Sequence, residues 1–301
     1  DTPRIDYTDG GCPVLLTEPQ STNLIANSND FNGWQSFGSI TKTPNFGISP
    51  QGDLNSTRIQ FSSSSEEVRL SSGVTANGCS SSLYIKGENG KTIKFGTTAS
   101  EEIFTLNGDW QRIESYNSGV PTNISINTYS GATARDIEVY GAQLEELSYA
   151  TSIIPTYGAV RTRLQDTVLG AGTVSDFNSE EGVLFFEGSA LADDLENRFI
   201  TISNGTTTEG IRFYYSNASQ RFIARYYIGN AAIANFSYDF TDVTQLAKIA
   251  FKWKVNDFAL WVNGVEVQSS NVGAVHPPNT FNNMQLAIVG SAPLFAKTSQ
   301  I

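Results

Sequence analysis

Apolar and polar positions alternate in short runs along the whole chain. TRIQF (57–61), SLYIKG (82–87), KTIKF (91–95), NISINTYS (123–130) and DIEVYGAQL (136–144) alternate or concentrate β-branched and aromatic residues, the period-2 pattern of half-buried strands. Clusters of Gly, Asn, Ser and Thr, such as SSGVTANGCSS and NSGVPTN, separate them at short intervals. The second half continues with GVLFFEG (182–188), NRFITISNG (197–205), GIRFYYSN (210–217), QRFIARYYIG (220–229), AKIAFKWK (247–254), DFALWVNGVEVQ (257–268) and MQLAIVG (284–290). WVNGVE predicts a hairpin, because Asn263-Gly264 can take the positive φ angles of a type I′ turn. Helical periodicity is confined to a turn or two near Asp242–Ala247. The pattern predicts an all-β fold of antiparallel sandwiches.

The two sets of strands meet at SYATSIIPTYGAVRTRLQD (148–166), which carries Pro155 and shares the periodicity of neither. Charge differs across it: residues 1–160 carry a net −8 and residues 161–301 a net −3. No repeat of fixed period occurs, which argues against a propeller or solenoid and for two sandwiches in tandem.

Charge and rare residues narrow the chemistry. With 19 Lys and Arg against 30 Asp and Glu, the net charge is −11, and nothing supplies the clustered basic charge of a nucleic-acid binder. No apolar run approaches the roughly 20 residues of a membrane-spanning helix, and DTPRIDYTDG has none of the parts of a secretory signal. The single histidine, His276 in AVHPPN, excludes zinc sites built on several His ligands and reads as a turn residue in a proline-bounded loop. Cys12 and Cys79 lack CxxC spacing, and their pairing stays open. Glycine-rich loops such as GAGT (170–173) and GNAA (229–232) match no phosphate-cradling pattern.

Sugar chemistry would require two carboxylates at a set separation. The adjacent pairs Glu66-Glu67, Glu101-Glu102, Glu145-Glu146, Glu180-Glu181 and Asp193-Asp194 would point to opposite faces of a strand. Asp136 and Glu138 would share one, as polar residues on a solvent face. No enzyme is expected. Aromatics offer a different chemistry, since exposed rings cover the apolar faces of sugars while polar groups hold the hydroxyls. Trp34, Trp110, Tyr116, Tyr129 and Tyr140 qualify in the first half, and Tyr214, Tyr215, Tyr226, Tyr227, Trp253 and Trp261 in the second. In each Tyr-Tyr pair one ring must face the core. Trp110, Tyr116 and Tyr129 are the first choices for glycan contact. Arg212, Arg221 and Arg225, on neighbouring strand candidates, form the one basic cluster, with Arg212 and Arg225 as its expected ligand contacts.

Two longer stretches carry a resemblance. PRIDYTDGGCPVLLTEPQSTNLIANSNDFNGW (3–34) resembles the opening RIDY…LLxEPQRTNLLxxSEDFxxxxW of a module found in bacteriophage tail-fibre and other virion-surface proteins. GAQLEELSYATSIIPT (141–156) resembles the segment that closes that module, about 110 residues on. The resemblance implies a carbohydrate-binding-module-like jelly roll over 21–150, after a lead-in at 1–20 and before a linker at 151–166. From EGVLFFEG to LFAKTSQI the chain resembles a concanavalin A-like, laminin-G-type sandwich, which implies a second domain over 167–301, cut short at its C-terminal end as part of a longer fibre. Related modules hold a structural calcium through an Asp in patterns like DDVSL, whereas Gly141-Ala142-Gln143-Leu144 supplies no carboxylate there, so no cofactor is expected. No ExDxxE glycosidase pattern occurs. What the resemblance implies is a non-catalytic receptor-binding protein at the virion surface, outside the cell. It would recognise bacterial surface polysaccharide alongside other fibre or tail proteins, with a homotrimer as one arrangement. A ligand-free spacer or trimerisation module and a polysaccharide depolymerase are the alternatives.

Overall fold

The computed structural model describes residues 4–7, 12–71, 73, 77–98, 100–288 and 291–301. It is all-β, with antiparallel pairing between its strands and, among the described residues, a single 3-10 turn, Phe31–Gly33, capped by the Asp30 side chain. The chain divides into two units, Gln20–Leu164 and Asp1–Pro19 with Gln165–Ile301.

In the unit Gln20–Leu164 one sheet runs, in spatial order, Gln111–Asn117, Cys79–Gly87, Asp136–Glu145, Thr57–Phe61 and Ile40–Thr43. The other runs Glu102–Thr105, Thr92–Thr97, Asn123–Asn127, Glu67–Ser71 and Gln35–Phe37. Alternate residues point inward, so Ile59, Leu83, Ile85 and Val139 of the first sheet pack against Val68, Phe95, Ile124 and Ile126 of the second. Trp34 is buried in this core beside Phe31. The buried Cys79 and the exposed Cys12 are not joined in a disulfide.

One buried carboxylate ties two segments of this unit together. Glu66 accepts hydrogen bonds from the Ser39 amide at 2.7 Å, the Ser62 amide at 2.6 Å and hydroxyl at 2.7 Å, and the Ser63 amide at 3.1 Å. Gly38, at φ +120°, leaves the room, since a Cβ there would stand 2.4 Å from Glu66 Cγ. Burial pushes the Glu66 carboxyl upward, but the Ser62 hydroxyl and the Ser63, Ser39 and Ser62 amides together hold it below its usual range. A folded pKa below the unfolded one contributes stability above the unfolded value, roughly 4.3, that is lost as pH falls through the folded one. Acid titration of unfolding should therefore show stability dropping below pH ~4, and Glu66→Gln should flatten that drop; an unchanged acid limb would contradict the assignment.

In the other unit a seven-stranded sheet runs Arg4–Asp6, Val14–Thr17, Ala296–Gln300, Glu181–Ala190, Ala247–Lys254, Phe258–Val262 and Val265–Ser270. A five-stranded sheet runs Ala231–Asp239, Arg221–Ile228, Gly210–Tyr215, Arg198–Ser203 and Asn283–Gln285. Phe186, Ile249, Phe251 and Leu260 meet Ile200, Phe213, Phe222 and Tyr226 between them. The predicted hairpin forms at Asn263 (φ 49°) and Gly264 (φ 83°).

Several expectations are corrected. Residues 1–20 are not a separate lead-in: Val14–Thr17 pairs with Ala296–Gln300, and Leu15 packs against the core of the second sandwich. That sandwich is thus built from both ends of the chain, and the first is inserted within it rather than preceding it. Residues 151–164 are not a linker. Thr151, Ile154 and Thr156 are buried in the first unit, and Arg161–Arg163 pairs with Ser21–Asn23. The segment lacks strand periodicity because side-chain hydrogen bonds hold it, Asn23 Nδ2 donating to Ala142 O and Ile154 O. GNAA is a tight turn, with Gly229 at φ 58° and Asn230 at φ 67°, that leads into the unpredicted strand Ala231–Asp239. MQLAIVG shortens to Asn283–Gln285, and its last two residues lie outside the described ones. His276 lies in a loop but is buried, its Nε2 2.8 Å from Tyr227 O.

Candidate functional site

Pairing along the edge of the first sheet decides which aromatics are available. Gln111–Asn117 pairs with Cys79–Gly87 so that Tyr116 lies opposite Ser80 and Glu114 opposite Ser82. Ile113 and Ser115 take the buried positions between them, which turns Trp110, Arg112, Glu114 and Tyr116 to the outer face. On the far side of Ser80 lies Glu145. Its buried carboxylate accepts from Ser21 Oγ at 2.6 Å, Gln143 Nε2 at 2.6 Å, Thr151 N at 3.0 Å and the Thr151 hydroxyl. These bonds close the loop 145–151 and carry Tyr149 back toward the edge strand.

The result is an open depression of about 220 Å³ lined by Tyr116, Tyr149, Glu102, Glu114 and Ser80, with Ser148 and Ala150 beside Tyr149. Tyr116 is 44% exposed, whereas Ser80 is 2% exposed and its hydroxyl has no hydrogen-bond partner among the described residues. A buried hydroxyl without a protein partner is uncommon, and this one lines the depression. The volume is below the roughly 300–1,000 Å³ of enclosed small-molecule sites, and the lining is a ring, hydroxyls and acceptor carboxylates. Such a site can cover a sugar face and accept from its hydroxyls. Glu102 and Glu114 are both exposed.

A larger groove of about 370 Å³ on the same face is lined by Phe46, Arg58, Lys86, Asp136 and Glu138. Its charges are already partnered: Arg58 Nε donates to Asp136 at 2.8 Å, Glu138 accepts from Ser56 Oγ at 2.9 Å, and Lys86 lies 4.0 Å from Glu138. Its polar groups ask for no ligand.

The aromatics chosen from sequence do not converge. Trp110 and Tyr116 share a face, but they stand six residue steps, roughly 20 Å, apart along the strand. Trp110 is also committed, its Nε1 donating to Ile48 O at 3.0 Å and pinning the 44–56 loop. Tyr129 belongs with the other sheet, half-buried, its hydroxyl donating to Glu67 at 2.9 Å. Burial and the Glu67 carboxylate push that hydroxyl's pKa up. Tyr140 is wholly buried, with its hydroxyl on Gln51. In the other unit Tyr215 and Tyr226 enter the core, but Tyr214 and Tyr227, on the outer face, are buried as well. Tyr214 stacks on Phe199 with Ile288 and Ala292 packed against it, and Tyr227 lies under Arg212. Of the basic cluster, Arg221 is paired with Asp239 at 2.6 Å, leaving Arg212 and Arg225 side by side. Tyr149 and Ser80 carry no signal in the sequence pattern; Glu102 enters there only through the Glu101-Glu102 pair, and Tyr116 as a candidate aromatic.

Among the described residues no three His, Cys, Asp or Glu side chains gather in a way that could hold a metal ion, and no helix is long and apolar enough to cross a membrane. No known protein family matches the chain, and no curated protein matches it. Solved structures with a weak likeness to the chain include two of animal origin. Sheep galectin-11 in complex with glycerol is 11% identical over 46% of this chain and 97% of the galectin, with a TM-score of 0.29. Domains LG4-5 of the mouse laminin α1 chain are 9% identical over 99% of this chain and 89% of theirs, with a TM-score of 0.29.

Proposed function

We propose that this protein is a non-catalytic glycan-recognition protein whose Tyr116–Tyr149 depression takes a neutral sugar unit. The observation that carries the reading is the orphaned Ser80 hydroxyl beneath an exposed tyrosine. Around them, Glu102 and Glu114 offer acceptors for sugar hydroxyls and would repel an anionic ligand. The resemblance of residues 3–34 and 141–156 to virion-surface modules supports a bacterial surface polysaccharide as the target and a phage tail fibre as the setting, with other fibre proteins or copies of this chain as neighbours.

Affinity electrophoresis against bacterial surface polysaccharides, with an assay for released reducing ends, tests this. Retardation without release is expected, and Tyr116→Ala should weaken it about tenfold, near 1.4 kcal/mol. Trp110→Ala should leave it unchanged, because that indole is bound to the 44–56 loop. Release of reducing ends would establish a depolymerase instead. No retardation by any glycan, with a trimer on sizing, would leave the spacer reading.

A further inference from the structure

Arg212 and Arg225 stand where sheet physics disfavours them. They are direct cross-strand partners on Gly210–Tyr215 and Arg221–Ile228, which places their Cβ atoms roughly 4.5–5.5 Å apart on one face. Like charges so opposed destabilise a sheet. Elsewhere in this unit the cost is avoided, Arg198 pairing with Asp194 at 2.5 Å and Arg221 with Asp239. Among the described residues no carboxylate lies within ion-pair distance of Arg212 or Arg225, in a chain of net charge −11. Glu209, which borders the same small hollow as Arg212, is turned to the Gly229 amide at 2.9 Å and lies 3.5 Å from His276 Nε2.

The two guanidinium groups are nonetheless held in place. The Arg212 guanidinium lies 4.0 Å over the buried Tyr227 ring, and one of its nitrogens donates to Thr207 O. Arg225 Nη1 donates to the Tyr227 hydroxyl at 3.3 Å and Nε to Asn235 Oδ1 at 2.7 Å. One tyrosine therefore positions both cations, and both remain partly exposed. Two oriented forks with unused N–H groups match the two oxygens of a carboxylate, and the exposed Asn235 has its Nδ2 left for a neighbouring hydroxyl.

We propose that Arg212 and Arg225 form a second binding site, specific for the carboxylate of an acidic sugar unit such as a hexuronic acid. That the anion is carried on a sugar rests on the glycan reading above; that the site takes an anion does not. Its charge is opposite to that of the Tyr116 depression, so the two sites would read different units of a surface glycan.

The test follows the arginine Nε–H signals by NMR while D-glucuronate, D-galacturonate, the neutral D-glucose and D-galactose, and acetate are titrated separately. The uronates should shift the Arg212 and Arg225 signals, with at least tenfold weaker binding in R212Q and in R225Q and weakening as salt rises from 50 to 200 mM. Neither variant should melt below the parent, because each removes one of two opposed like charges. Tyr116→Ala should leave uronate binding intact. Uronate binding that is absent, or unchanged in both variants, overturns the site, as does a variant that melts several degrees lower, which would make the pair structural. Acetate matching the uronates overturns the sugar assignment alone. Neutral sugars that act through Tyr116 while the arginine signals stay still would sink this proposal and leave the glycan reading standing.

Discussion

Glu145→Ala is expected to cost the unit Gln20–Leu164 about 3 kcal/mol or more and to abolish binding at the Tyr116 depression. The carboxylate is fully buried and accepts from four donors. Hydrogen bonds to a charged group contribute about 1.5–3 kcal/mol each, and a buried donor left without a partner adds its desolvation penalty. Truncation would leave Ser21 Oγ and the Thr151 amide without their acceptor, and would leave Gln143 Nε2 and the Thr151 hydroxyl only their longer bonds to the Thr151 and Ser152 carbonyls, in a site too closed for water to replace an entire carboxylate. Glu145→Gln keeps the volume but turns an NH₂ toward donors, so it should recover only part of the loss. The functional consequence follows from the loop 145–151: the segment that carries Tyr149 loses its buried anchor. Hydrogen exchange read on peptides covering 20–30 and 136–156 measures the stability, and glycan retardation measures the site. A loss below about 1 kcal/mol would mean that the bonds to Glu145 contribute little net.

This buried carboxylate also marks where sequence reading stopped. Strands with clean alternation, such as AKIAFKWK and TRIQF, were legible because a period of two has one structural meaning, and Asn263-Gly264 was legible because few residue pairs tolerate two positive φ angles. Unit boundaries were not legible. They depend on contacts such as the Ala296 amide donating to Thr17 Oγ1 at 3.2 Å, across 279 residues, and on Asn23 and Glu145 holding 151–156 by side-chain bonds that leave no periodic trace. The same gap explains the site. Exposure of Tyr116 depends on the strand Gln111–Asn117, which the alternation did not predict, and the commitment of Trp110 depends on a loop carbonyl, at Ile48, whose place no local pattern gives. Arg212 and Arg225 were visible as a cluster, and only the register, which sets Arg221 against Asp239, separated the paired arginine from the two without carboxylates.

In the other unit the largest effect of removing a single atom is expected from Tyr226→Phe. Tyr226 is wholly buried in the sandwich core, among Phe258, Phe281 and the His276 ring. Its hydroxyl donates to Ser179 O at 2.8 Å and accepts from the His276 amide at 2.9 Å. Ser179 in turn accepts through Oγ from the Thr280 amide at 3.0 Å and the Phe281 amide at 2.8 Å, so one phenol fastens both ends of the loop that closes this core. Phenylalanine fills the same space and leaves a buried carbonyl and a buried amide unpartnered, a cost of about 2–4 kcal/mol. Burial also pushes the Tyr226 hydroxyl up to about 12. A folded pKa above the unfolded value of roughly 10 means stability that is whole below pH ~10 and lost as pH rises toward the folded value. The wild-type chain should therefore weaken on the alkaline side in a way that Tyr226→Phe reduces. Amide exchange at His276, Thr280 and Phe281 should speed together in the variant, since they share one anchor. If His276 alone speeds while the other two keep their protection, Ser179 holds its end of the loop without the phenol, and the single-anchor account fails.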